Sequence, residues 1–116
     1  MARVGQLMLE EGRVGDDQVI PAAVIRGIRE GGDRAAFARA GYRQLEGWSY
    51  RGMWWVSHDA NGTFMARGVH GQSLWIDPTA RVVIARFASY PVAGNAANDA
   101  TTLPAYQAVS RFLQQR

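Results

Sequence analysis

Cysteine is absent, so the chain has neither a disulfide nor a thiolate metal site available to it. Lysine is absent too. All 13 basic residues are arginine, whose guanidinium keeps its proton near neutral pH and cannot serve as a proton acceptor. No apolar run approaches the ~20 residues of a membrane-crossing helix, and the N-terminus shows no basic-then-apolar leader pattern. A soluble chain with no membrane partner is expected, in a compartment the sequence leaves open. The two histidines, His58 and His70, have no carboxylate at ligand spacing, and no glycine-rich phosphate loop is present. Neither a metal nor a cofactor is expected. The net charge of +3 comes from arginines scattered from Arg3 to Arg116 without a block of like charge, so no nucleic-acid partner is expected either.

What is there is one domain's worth of chain. At 116 residues it can bury roughly two thirds of its unfolded surface. Residues 2–11 have helical spacing, with Val4, Leu7 and Met8 on one face, and Gly12 ends them. A loop is expected over Gly12 to Gln18. Pro21 suits the first turn of a helix continued by Ala22 to Glu30, with Val24, Ile25 and Ile28 on one stripe and Gly31-Gly32 as the stop. Asp33 caps a short helix, Arg34 to Ala40, closed by Gly41. Residues 1–41 therefore read as helical.

The middle of the chain, 50–88, reads as sheet. Gly52 to His58 and Thr63 to Val69 flank Asp59-Ala60-Asn61-Gly62, whose Asn-Gly supplies the positive φ of a hairpin turn. Trp75 to Asp77 and Arg81 to Phe87 are rich in β-branched and aromatic residues and flank Asp77-Pro78-Thr79-Ala80, with Pro where φ is preset. Four antiparallel strands follow. Ser89 to Thr102 reads as a loop rich in Ala, Asn and Gly, and Pro104 opens a helix over 104–115 with Tyr106, Val109, Phe112 and Leu113 as its apolar stripe. The predicted fold class is α+β: N-terminal helices, a four-stranded antiparallel sheet and a C-terminal helix packed on it, as a single unit over 1–116.

The stretch Ala66-Arg67-Gly68-Val69-His70-Gly71-Gln72-Ser73-Leu74-Trp75-Ile76-Asp77-Pro78 resembles the third-motif strand and following strand of the penicillin-recognising serine hydrolases. Within them it is most similar to the class C β-lactamase-like group of β-lactamases, esterases and 6-aminohexanoate-dimer hydrolases, and the Gly-Val-His-Gly-Gln run looks most like the last. The opening, Ala2 to Met8 through Gly12-Arg13 and Val19-Ile20-Pro21, resembles the helix and loop that precede this region in the same group. The resemblance spans nearly the whole chain and implies a partial β-lactamase/transpeptidase-like fold. Such enzymes use a Ser-x-x-Lys nucleophile motif and a Tyr-x-Asn or Tyr-x-Ser motif, both upstream of the matched region. Without lysine no Ser-x-x-Lys is possible, and Tyr42, Tyr50, Tyr90 and Tyr106 lie outside a Tyr-x-Asn context. The chain is expected to be the C-terminal portion of such an enzyme, inactive alone, and a first helix that begins at Met1 without a cap fits an interrupted parent chain.

The resemblance carries over residue by residue at few positions. The residue after the motif glycine, here Val69 after Gly68, would give its backbone N–H to an oxyanion, a role that asks for a donor and an open approach rather than a side chain. His70, Gly71 and Gln72 would lie beside the substrate. Ala66-Arg67-Gly68 keeps only the glycine of the Lys-Thr-Gly or His-Thr-Gly pattern, which disfavours a penicillin-type carboxylate and leaves a small amide or ester as the expected substrate. The competing reading makes Gly68 and Gly71 a strand bend and His70 a loop histidine. Ser57-His58-Asp59 has the letters of a triad, but strand neighbours point to opposite faces. Gly71-Gln72-Ser73-Leu74-Trp75 imitates a nucleophile elbow with Trp75 in place of its second glycine. Any of Trp48, Trp54, Trp55 and Trp75 could wall a cleft. A different class of function also fits: a non-catalytic module that pairs with a partner chain, either a second copy or the N-terminal portion of the parent, through an uncovered sheet face or edge.

Overall fold

A computed structural model describes all of residues 1–116. Helix α1 (Ala2–Leu9) ends two residues before the predicted stop, because Glu11 and Gly12 both take positive φ and turn the chain. Its buried face is Gly5, Met8 and Leu9, not Val4 and Leu7. Gly5 explains the rotation. A Cβ placed there would lie 2.3 Å from Val83 Cγ1, so the missing side chain lets the helix backbone approach the sheet. The predicted loop after Gly12 contains a two-residue hairpin, β1 (Arg13–Val14) paired with β2 (Asp17–Gln18). Helix α2 (Ala22–Glu30) follows Pro21 and stops at Gly31, φ +83°, burying Ile25 while Val24 stays exposed. Asp33 caps α3 (Arg34–Arg39) as expected, its Oδ1 accepting from Ala36 N–H at 3.0 Å.

The main sheet has five strands, not four. β3 (Ser49–Arg51), β4 (Trp54–Val56), β5 (Phe64–Arg67), β6 (Ser73–Asp77) and β7 (Val82–Arg86) form an antiparallel meander in chain order. The added strand is β3. Gly52 and Met53 take φ +57° and +75° and fold the chain back between Arg51 and Trp54. Two turns carry their own latches. Asp59 Oδ1 accepts from Thr63 N–H at 2.9 Å, and Asp77 Oδ1 accepts from Ala80 N–H at 2.9 Å.

Both faces of this sheet are covered, because its central strands are apolar on both sides. Val56, Phe64, Leu74 and Ile76 face one way and pack with Met8 and Leu9 of α1 and Ile25 of α2. Met65 and Trp75 face the other way and pack with Phe37, Leu45, Trp48, Leu103 and Tyr106. Burying each such side chain is worth about 1.5–3 kcal/mol, so the two layers of helix are held by comparable cores. Trp54 and Trp55 leave opposite faces, Trp54 against Phe64 and Trp55 edge-on to Phe37 and Tyr42.

The last helix, α4 (Ala96–Gln114), begins eight residues before the predicted start and carries Pro104 inside it. Its buried positions are Asp99, Leu103, Tyr106 and Ser110, while Val109, Phe112 and Leu113 of the predicted stripe are exposed. The reason is chemical. Two of the inward positions are polar residues with partners across the interface: Asp99 with Arg67, and Ser110 with Trp75 Nε1. Hydrophobic periodicity therefore points to the wrong side of the helix. No helix is long and apolar enough to cross a membrane.

Candidate active-site cleft

Strand β5 ends at Arg67, and the chain then makes a single 3-10 turn, Val69–Gly71, before β6. Gly68 N–H still bonds to Gln72 C=O at 2.8 Å, so the turn is a pinched extension of the β5–β6 hairpin. Two positive φ values at its tip, His70 at +60° and Gly71 at +87°, leave little freedom. At Gly71 a Cβ would stand 2.4 Å from the Tyr90 ring, so the site requires glycine.

The segment before α4 fastens this turn. His70 N–H donates to Ala93 C=O at 2.9 Å, Tyr90 N–H to His70 C=O at 3.0 Å, and His70 Nδ1 lies 2.7 Å from Tyr90 C=O. A carbonyl only accepts, so Nδ1 bears the proton. Asn95 completes the clasp: its Oδ1 accepts from Gly71 N–H at 2.9 Å and its Nδ2 donates to Gly68 C=O at 2.8 Å. One amide thus bridges both ends of the turn. Val69 N–H, between them, donates to no protein acceptor, and Val69 is 58% exposed.

Val69 borders a cleft of about 610 Å³ whose lining also includes Tyr42, Trp55, Arg67, Asn95 and Asp99. Arg67 and Asp99 pair at 2.8 Å with side chains only 10% and 7% exposed, and the guanidinium carbon of Arg67 sits 5.2 Å from the Trp55 ring centre. Behind the clasp, Arg86 bonds Thr102 Oγ1 at 3.1 Å and the Tyr90 hydroxyl. The Tyr90 and then the Tyr106 hydroxyl hold its guanidinium above the ordinary arginine value, against the opposing effect of burial. Arg86 is a permanent cation that ties the 88–102 segment to β7.

Of the residues singled out from sequence, Gly68 and Val69 line the cleft. His70 and Gly71 lie behind it in the clasp. Gln72 is exposed, with Nε2 3.4 Å from Val69 C=O. Ser57, His58 and Asp59 do not converge: Ser57 and Asp59 both bond Thr63, and His58 Nε2 meets Ser49 Oγ at 2.7 Å. That serine is fully buried and also accepts from Gly32 N–H, so no substrate reaches it. Ser73 Oγ is engaged by the Tyr106 hydroxyl at 2.6 Å within the core. Trp55 alone of the four tryptophans borders the cleft. Arg67, Asn95 and Asp99 carried no signal in the sequence, since each acts through a partner 24 to 32 residues away.

A putative 6-aminohexanoate-dimer hydrolase from Bacillus anthracis superposes on 98% of this chain with a TM-score of 0.78 and 28% sequence identity, the match covering 28% of that protein. In sequence the chain is 34% identical over 93 residues to the 6-aminohexanoate-dimer hydrolase of Paenarthrobacter ureafaciens, which is 78% of this chain and 24% of the relative. The chain thus spans about a quarter of the length of the proteins it matches. No family model matches it.

Proposed function

We propose that this chain acts as the C-terminal portion of a β-lactamase-like serine hydrolase of the 6-aminohexanoate-dimer hydrolase kind, cleaving small amides or esters, and that it contributes the oxyanion strand. The observation that carries this reading is Val69 N–H, unpaired at the cleft and held in place by Asn95 on both sides. In the complete site a serine from the rest of the enzyme attacks the substrate carbonyl, and the developing oxyanion accepts from Val69 N–H. Donors of this type are worth about 10²–10³ in kcat. Lacking lysine, the chain has no Ser-x-x-Lys of its own, and alone it hydrolyses nothing.

The test is complementation. The chain is mixed with a polypeptide matching the remaining three quarters of the Paenarthrobacter relative, and amide and ester hydrolysis is followed. Activity is expected on mixing and absent from this chain alone. Val69→Pro removes the N–H while suiting the extended conformation of Gly68, φ −108° and ψ 169°, and it should abolish the gain. Hydrolysis by the isolated chain, or a Val69→Pro mixture as active as the parent, would defeat the proposal.

A second reading has its own observation. β7 is an edge strand whose outer backbone is unpaired by any strand, Phe87 beyond it is 74% exposed, and α4 shows Val109, Phe112 and Leu113 to solvent. An open apolar edge favours pairing with another chain. Under this reading the protein is a non-catalytic module that associates, with itself or with the remainder of a parent enzyme, and the mixture forms a complex without turnover.

A further inference from the structure

The ion pair on the cleft wall is not used by the oxyanion chemistry, and it has unfilled hydrogen-bonding capacity. Arg67 offers five N–H donors. Of these, one nitrogen meets Asp99 Oδ2 at 2.8 Å and another only the weakly accepting Met65 sulfur at 3.9 Å. Its Nε and Asp99 Oδ1 have no protein partner. No fully buried side-chain nitrogen or oxygen in the molecule lacks a partner, so these two atoms are reached by solvent although both side chains are about nine-tenths buried. Both residues line the cleft. The wall therefore presents a donor beside an acceptor, on a pair whose charges cancel.

That combination discriminates between ligand groups. A carboxylate that approaches Arg67 meets the like charge of Asp99, and an ammonium that approaches Asp99 meets Arg67. A carboxamide meets neither obstacle: its C=O accepts from the guanidinium and its N–H donates to the carboxylate. The rings of Trp55 and Tyr42 beside the pair suit an aliphatic chain leading to that group. We propose that the Arg67–Asp99 pair is a specificity determinant of the cleft, selecting an uncharged carboxamide over a carboxylate or an ammonium for the one ligand group it contacts. The inference rests on the reading of this cleft as the substrate site.

Three ligands of one chain length test it: hexanamide, hexanoate and hexylammonium, titrated into the ¹⁵N-labelled full chain while the Val69 amide and Trp55 indole signals are followed. Hexanamide is expected to bind at least ~10-fold more tightly than either ion. Asp99→Asn frees Arg67 for two-pronged carboxylate binding, and the preference should reverse by ~10-fold toward hexanoate. Because that variant leaves a buried cation unpaired, a second one removes both charges. Arg67→Met with Asp99→Leu should bring the three ligands within about 3-fold of one another, each 1.4 kcal/mol being a factor of ten. Equal or tighter binding of hexanoate by the parent chain, a preference that survives in the double variant, or no perturbation at Val69 and Trp55 with any ligand would each overturn the proposal. Amide preference without hydrolysis in the complementation mixture would sink the catalytic reading alone, and hydrolysis without amide preference would sink this one alone.

Discussion

Replacing Asn95 with alanine removes both arms of the clasp while touching nothing in either core. The side chain makes two bonds, 2.9 Å to Gly71 N–H and 2.8 Å to Gly68 C=O. Each is worth about 1 kcal/mol net, less where water can substitute, so the change should cost about 1–2 kcal/mol. Asn95 precedes α4, but its side chain caps no helical N–H, so the cost is not that of a lost helix cap. With an unfolding entropy of about 2.1 cal/mol/K per residue, Tm should fall by about 4–8 °C. The local effect should be sharper than the global one. Amide exchange at Gly71, whose acceptor is gone, should accelerate by about 5–30-fold, the factor that 1–2 kcal/mol represents, while exchange in β6 tracks the global loss. Calorimetry and hydrogen exchange by NMR read the two quantities separately. A Tm within about 1 °C of the parent together with unchanged exchange at Gly71 would show that the clasp holds nothing, and the positioning of Val69 N–H would need another explanation.

Trp75→Ala empties the centre of one core and releases the Ser110 hydroxyl, 3.4 Å from the indole N–H. It should cost about 3–5 kcal/mol in denaturant unfolding, and a loss below about 1.5 kcal/mol would mean that the core has refilled or was never tight. His58 gives a pH dependence. Burial, and then the charge of Arg34, lower its pKa in the folded chain below the ordinary histidine value of about 6.5, and its Nε2 lies 2.7 Å from Ser49 Oγ. As pH falls below about 6.5 the unfolded chain takes up the proton first. Stability present at higher pH is therefore lost through that window, and the loss is complete once pH passes below the folded value. Urea midpoints should drop between pH 7.5 and 5.5 in the parent and less in His58→Gln; an equal drop in both would remove His58 as the cause.

The sequence disclosed what local chemistry controls. Asp33 as a cap, Gly31 as a stop and the two Asp-led turns all lie where residue type and spacing put them. Strand β3 escaped because its turn places Met53 at φ +75°, a conformation that methionine does not advertise. The start of α4 escaped because Pro104 reads as a beginning, whereas the helix tolerates it in its interior. The cleft divides the same way. Gly68 and Val69 were marked through the family resemblance alone, and the fold puts both on the cleft wall. Arg67 with Asp99 and Asn95 with Gly68 are pairings 32 and 27 residues apart, and no periodicity links such partners.

The sheet that is apolar on both sides has a consequence for how its strands find one another. Where one face is wet, a slip of one residue drives polar groups inward and is rejected. Here a slip exchanges one oily face for another, so the alternation of side chains discriminates weakly between the native alignment and its neighbours. The choice falls to the corners. Asp59 closing on Thr63 and Asp77 closing on Ala80 fix how many residues each bend consumes, and the ladders that pair Val56 with Phe64 and Ile76 with Val83 inherit their alignment from them. Two carboxylates, Asp59 exposed and Asp77 buried, thereby govern which chemistry ends up facing which helix.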